Sequence, residues 1–158
     1  MRADGRVDPH LELSSEASSH RYPVVKIRAA SLDSVQARAI NHQATADIVK
    51  DLLRYDEVPQ LTNLSHVALP PGVVIDRHVH PSKYEVFFVQ SGRGAFKVWR
   101  HGARNIDEPR EEIELKSGVS VHVGPEEPHE IVSSEGSEPL VMLYFGVVAP
   151  EVTATKDY

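Results

Sequence analysis

His78 and His80 stand two residues apart in the stretch Gly72-Val-Val-Ile-Asp-Arg-His78-Val-His80-Pro-Ser-Lys-Tyr-Glu85, and Glu85 follows them closely. Two imidazoles and a carboxylate are a donor set for a divalent transition metal if they can reach one point. On a strand, residues two apart leave the same face, so His78 and His80 project together. Pro81 interrupts regular pairing, residues 82–84 make a turn, and Glu85 opens the apolar run Val86-Phe87-Phe88-Val89, which reads as the antiparallel return strand. Such a hairpin presents two nitrogens and one oxygen to a common point. A His-x-His pair alone is more often surface polarity, and a strand-start glutamate alone is more often solvated. Their joint spacing is what points to a metal.

That spacing, G(x)5HxH(x)4E(x)6G and closing on Gly92, resembles the first motif of the cupin superfamily at every signature position. Farther along, the stretch from Gly118 through His122, Gly124, Pro125 and His129 to Ser133 resembles the second motif. Gly118 and His129 match it, whereas Gly124 stands where the family has Pro, Glu126 where it has Gly, and Ser133 where it often has Asn. Gly124-Pro125 still reverses a chain readily, since Gly tolerates positive φ and Pro fixes its own φ near −65°. The resemblance covers 72–133 by motif (72–92 and 118–133) and 61–148 by strand pattern. It implies a double-stranded β-helix, or jelly roll, in which His78, His80, Glu85 and His129 hold one divalent transition metal per chain. It also implies a homodimer. One motif pair and no internal repeat indicate a monocupin.

The elements that must position these residues are short and β-rich. Segments 62–69, 73–80, 85–90, 95–100, 112–115, 119–123, 130–133 and 140–148 carry apolar or alternating patterns between Gly and Pro signals, the pattern of an all-β sandwich or barrel. Residues 1–20 are polar, Ser-rich and without period, and read as a disordered tail. Residues 22–27 have strand character. Ser31 or Asp33 is an N-cap candidate for a short helix over 31–40. The segment 46–53 fits either a helical face through Ile48, Val49, Leu52 and Leu53 or an edge strand. A single domain over 21–158 with a partly irregular N-terminal extension is the expected organisation.

Composition narrows the function. The 158 residues contain no cysteine, which excludes disulfides, thiolate metal sites and cysteine nucleophiles. A net charge of −6 with 6% aromatic residues leaves no basic stripe for nucleic acid. No apolar stretch approaches a bilayer-spanning length, and the N-terminus lacks a charged-then-apolar pattern, so a soluble, cytoplasmic protein is expected.

Strand parity nominates a pocket. Asp76 and Val74 share the face of His78 and His80, and Phe87 and Val89 share that of Glu85. Phe96 and Val98 alternate together on the next strand. Asp76 is a candidate acceptor for a histidine N–H or a general base, weighed against a solvated turn carboxylate. Tyr84 is a candidate donor to substrate, weighed against a rim or dimer position. His66 and His122 are candidate acids or bases, weighed against surface polarity. Trp99 and Phe88 fall on the opposite parity and are expected to cover a partner sheet or subunit surface. His10, His20, His42 and His101 sit in polar or loop contexts and are not expected to be ligands. With Phe87, Val89, Phe96 and Val98 as lining and no Arg or Lys cluster of inward parity, the expected substrate is small and partly hydrophobic rather than a phosphorylated sugar. Three imidazoles and a carboxylate suit Mn, Fe, Co, Ni, Cu or Zn. Fe(II) with a dioxygenase-type oxidation is the leading expectation. A non-redox isomerase, lyase or cyclase comes second, and a cupin that binds a sugar or metabolite without turnover third.

Overall fold

Period-two alternation of apolar and polar side chains, stopped by Gly and Pro, builds this chain into sheets. The computed structural model describes residues 29–40, 46–55, 57–104 and 108–149. Among the described residues nine strands run in order: β1 Val49–Leu53, β2 Leu61–Leu69, β3 Val74–His78, β4 Lys83–Ser91, β5 Arg93–Val98, β6 Glu111–Lys116, β7 Ser120–Val123, β8 His129–Ser133 and β9 Leu140–Val148. One sheet has the order β1-β2-β9-β4-β7 and the other β3-β8-β5-β6. The strand pairs within both are antiparallel. From β2 onward the chain alternates between sheets at nearly every step, the winding of a jelly roll.

The alternation read from sequence sets the core. In β4, Glu85, Phe87 and Val89 are buried while Phe88 is exposed. In β5, Gly94, Phe96 and Val98 face inward. Leu69, Leu115, Ile131, Leu140 and Met142 complete the packing between the sheets. Register places residues from several strands in transverse rows. Asp51, Ser65, Tyr144 and Phe87 form one row across β1, β2, β9 and β4, and Asn63, Gly146 and Glu85 form the next.

The turn from β4 to β5 rests on Gly92, at φ 82°. A Cβ there would overlap the Pro139 carbonyl oxygen and lie 2.8 Å from Leu140 Cα, both main-chain atoms that cannot rotate away. Gly92→Ala is therefore expected to destabilise the protein by about 3 kcal/mol, combining a left-handed φ with an overpacked contact. Urea unfolding measures it, and a loss below 1 kcal/mol would show that the turn re-forms elsewhere.

One feature differs from the sequence reading, and two that it left open are resolved. The helix expected over 31–40 is a single turn at 32–34, where Ser34 N–H donates to the Ser31 carbonyl at 3.0 Å. Beyond it, Arg38 pairs with Val49 instead of continuing a helix, its N–H donating to the Val49 carbonyl at 2.8 Å. Sheet pairing here outcompetes weak local propensity. Of the ambiguous 46–53 segment, Val49–Leu53 forms β1, the edge-strand alternative. Trp99, expected to cover a partner sheet or a subunit surface, is 6% exposed within the chain, with the Arg77 guanidinium 4.4 Å above its ring. The tail at 1–20 and the strand at 22–27 lie outside the described residues. No helix among the described residues is long and apolar enough to cross a membrane.

Candidate metal centre

The cluster is assembled from both sheets. His78 ends β3 and faces His129, the first residue of β8, as its cross-strand partner. Glu85 comes from β4 in the other sheet, and His80 from the connection between β3 and β4. The ring centroids of His78 and His129 are 4.2 Å apart, those of His78 and His80 4.9 Å, and those of His80 and His129 5.5 Å. One donor atom from each of the four residues lies within 4.8 Å of the others. Phe96 supports the group from below, stacked on the His129 ring at 5.6 Å with 6° between planes.

Backbone carbonyls set the tautomers of two imidazoles. His78 Nδ1 lies 2.7 Å from the Asp76 carbonyl and His129 Nδ1 2.9 Å from the Glu127 carbonyl. A carbonyl only accepts, so each Nδ1 carries the hydrogen and each Nε2 has a lone pair to offer. His129 Nε2 is buried with no hydrogen-bond partner, and Glu85 Oε2 is 3.4 Å away. His80 Nε2 is 3.1 Å from that same oxygen. Burial alone would raise the Glu85 carboxyl, but His129, His80 and Lys83 outweigh it and hold the group well below the usual carboxylate range. An orphaned nitrogen beside a buried carboxylate needs positive charge between them, supplied by a proton or a metal ion. Three imidazoles and one carboxylate converging in this way fit a divalent transition ion.

The cupin domain profile matches residues 65–146, more than half of the chain. This chain belongs to the cupin family. Among solved structures, a predicted oxalate decarboxylase from Thermotoga maritima is 18% identical, with 78% of this chain and 100% of that one covered at a TM-score of 0.62. The polyketide cyclase RemF from Streptomyces resistomycificus is 14% identical over 78% and 80% of the two chains, with a TM-score of 0.59. KdgF from a Halomonas species is 20% identical over 79% and 99%, with a TM-score of 0.54. At these identities the likeness is one of fold. No curated protein sequence matches this cupin.

The cluster opens onto a cavity of about 520 Å³ between the sheets of the cupin. Of the pocket residues expected from parity, Phe87 lines it, whereas Val89, Phe96 and Val98 are in the core cluster. Parity also breaks in β3, where a register shift between Ile75 and His78 turns Ile75 into the cavity and leaves Asp76 exposed. Asp76 does serve as a histidine acceptor, but through its carbonyl. Tyr84 is 39% exposed on the outer face of β4 and does not line the cavity. His66 and His122 do not line it either: burial and then Lys50 lower the pKa of His66, and His122 is exposed. His101 is exposed beside Glu126, while His10, His20 and His42 lie outside the described residues.

The sequence reading missed the polar wall of this cavity, formed by Arg38, Asp51, Arg54, Asn63, Lys83 and Tyr144. The expectation of no inward Arg or Lys is thus corrected. Lys83 shares the parity of Glu85 and binds its Oε1 at 2.7 Å; β4 starts two residues earlier than its apolar run suggests. Gly146 leaves room for this contact, because a Cβ there would overlap Thr62 Oγ1 and lie 3.3 Å from Lys83 Cδ. Arg38 holds Asp51 bidentately, Nε to Oδ2 at 2.6 Å and Nη2 to Oδ1 at 2.9 Å, while Ser65 Oγ donates to Oδ1 at 2.6 Å.

Burial works to raise the Asp51 carboxyl, but the bonds from Arg38 and Ser65 prevail and keep it below its ordinary value. A depressed folded-state pKa gives stability that is present above the unfolded value and lost as pH falls through the folded one. Asp51→Asn is expected to destabilise the protein by about 1 kcal/mol at pH 7. The gap to wild type should close as pH falls from about 5 toward the folded-state value. Urea midpoints across that range test this, and a gap that widens toward acid would refute it.

Proposed function

We propose that this cupin is a metal-dependent enzyme acting on a small organic substrate held between its two sheets. The observation that carries the reading is the buried, unpartnered His129 Nε2, set against Glu85 and beside two further imidazoles at the wall of a cavity. His78, His80, Glu85 and His129 would hold the ion. When bound, it supplies Lewis acidity or, as Fe(II), redox chemistry toward dioxygen, whereas Zn(II) supplies Lewis acidity alone. Four protein donors leave coordination positions open if the ion is six-coordinate, as a catalytic site requires.

The protein's own groups have separate tasks in this reading. The Asp76 and Glu127 carbonyls orient two imidazoles, and Lys83 shares the charge of Glu85. Ile75, Phe87 and Ile131 keep part of the wall dry. An Fe(II)-dependent, dioxygenase-type oxidation is the first reaction reading. A non-redox isomerase, lyase or cyclase is the second, favoured by Tyr144, Lys83 and Arg38 in the cavity, groups suited to holding or moving protons on a polar substrate.

Elemental analysis of protein purified without chelator or affinity metal, followed by oxygen uptake after anaerobic Fe(II) loading, tests both. Bound metal with uptake dependent on a phenol, diketone or carboxylate supports oxidation. Bound zinc, nickel, cobalt, copper or manganese without uptake moves the reaction to the non-redox class. Absence of metal under every loading condition would overturn the proposal and leave a cupin that binds without turnover.

A further inference from the structure

The cavity wall next to the imidazole cluster carries a row of polar groups that metal binding does not use. Tyr144 pairs with Phe87 across β9 and β4, and Glu85 lies two residues from Phe87 on the same face. Such diagonal neighbours are about 7–8 Å apart at Cα, so a single small molecule can touch both the cluster and Tyr144. Tyr144 stacks on Phe87 with centroids 5.5 Å apart and 18° between planes, which fixes the direction of its hydroxyl. Both residues line the cavity.

The groups around that hydroxyl are already committed. Ser65 and Arg38 both interact with it. Ser65 gives its hydrogen to Asp51 at 2.6 Å and accepts one from Asn63 Nδ2 at 2.8 Å. Arg38 is anchored to Asp51 through two nitrogens and to the Ala39 carbonyl through the third. Tyr144 is therefore the member of the row able to turn its hydrogen toward a ligand, with a fixed guanidinium beside the oxygen left behind. Burial raises the Tyr144 phenol above its ordinary value more than Ser65 and Arg38 lower it, so it rests as a neutral donor.

Charge indicates the class of ligand. The lining holds Arg38, Arg54 and Lys83 against Asp51 and Glu85, and a divalent ion in the cluster would enlarge the positive excess. We infer that the cavity takes a small organic acid bearing a second oxygen, a hydroxy or oxo acid, and that Tyr144 sets this specificity by donating a hydrogen bond from its phenol to that oxygen. This inference rests on the metal-dependent reading, in which a divalent ion held by the cluster would attract the carboxylate end of the acid. The Tyr144 O–H bond stays intact, its hydrogen shared as a hydrogen bond with the second oxygen of the acid.

Calorimetric titration of zinc-loaded protein with 3-hydroxybutyrate and with butyrate tests the assignment. In the wild type the hydroxy acid is expected to bind about tenfold more tightly. Tyr144→Phe, which removes one oxygen and keeps the ring, should bring the ratio close to one while zinc content and butyrate affinity stay at wild-type values. Equal affinities in the wild type, a ratio unchanged by Tyr144→Phe, or failure of both acids to bind would overturn it. Zinc content of the same samples reports separately on the metal: discrimination through Tyr144 without zinc uptake would retain the donor and remove the metal-dependent reading.

Discussion

His80→Ala lowers metal affinity by about a hundredfold or more while the protein stays folded. Losing a group that merely orients a ligand already reduces affinity 10–100-fold, and His80 is placed as a ligand itself. The fold survives because His80 sits in the connection between β3 and β4, with a side chain 22% exposed, so its removal opens no core void. Its structural contribution is main-chain: the His80 carbonyl accepts from Glu126 N–H at 2.9 Å, a bond alanine retains. Chelator competition with zinc, alongside thermal unfolding of the chelated protein, measures both halves. Wild-type affinity in the variant would remove His80 from the ligand set.

Phe96→Ala costs about 3–5 kcal/mol, the range for truncating a fully buried aromatic side chain. Phe96 is 0% exposed and contacts Phe87 at 5.4 Å between centroids as well as His129. It also removes the surface that fixes the His129 ring, so zinc affinity of the folded fraction should fall as well. This coupling separates Phe96 from Leu115, which is equally buried and has no ring contact with the cluster. A Leu115→Ala variant of similar instability should keep wild-type affinity. Equal affinity losses in the two variants would mean that general loosening, not the stack, misplaces His129.

Much of this was legible because strand period and motif spacing are local. His78, His80 and Glu85 were nominated by their intervals, His129 by the resemblance of its stretch to the second cupin motif, and the strands from 62 onward by alternation between Gly and Pro. The turn before His129 departs from the family pattern, yet the chain still reverses there. Glu126, at the position the family gives to Gly, itself adopts φ 62°, and its N–H is secured by the His80 carbonyl. What sequence could not show was non-local. Asp51, Ser65 and Tyr144 are far apart in the chain, and only the register of β1, β2 and β9 makes them neighbours. Asp76 was misplaced because a register shift reverses parity within β3, and parity arguments hold only while pairing is regular.

The four donors do not belong to one layer. His78 and His129 are rooted in the four-stranded sheet and Glu85 in the five-stranded one. An ion gripping all four would act as a rivet between the layers and resist their breathing apart. Its binding energy would then be felt as tighter closure of the barrel, rising with free metal as any ligand that binds only the native state requires. Amide exchange in β4 and β8 and the escape rate of the ion would follow one shared opening motion.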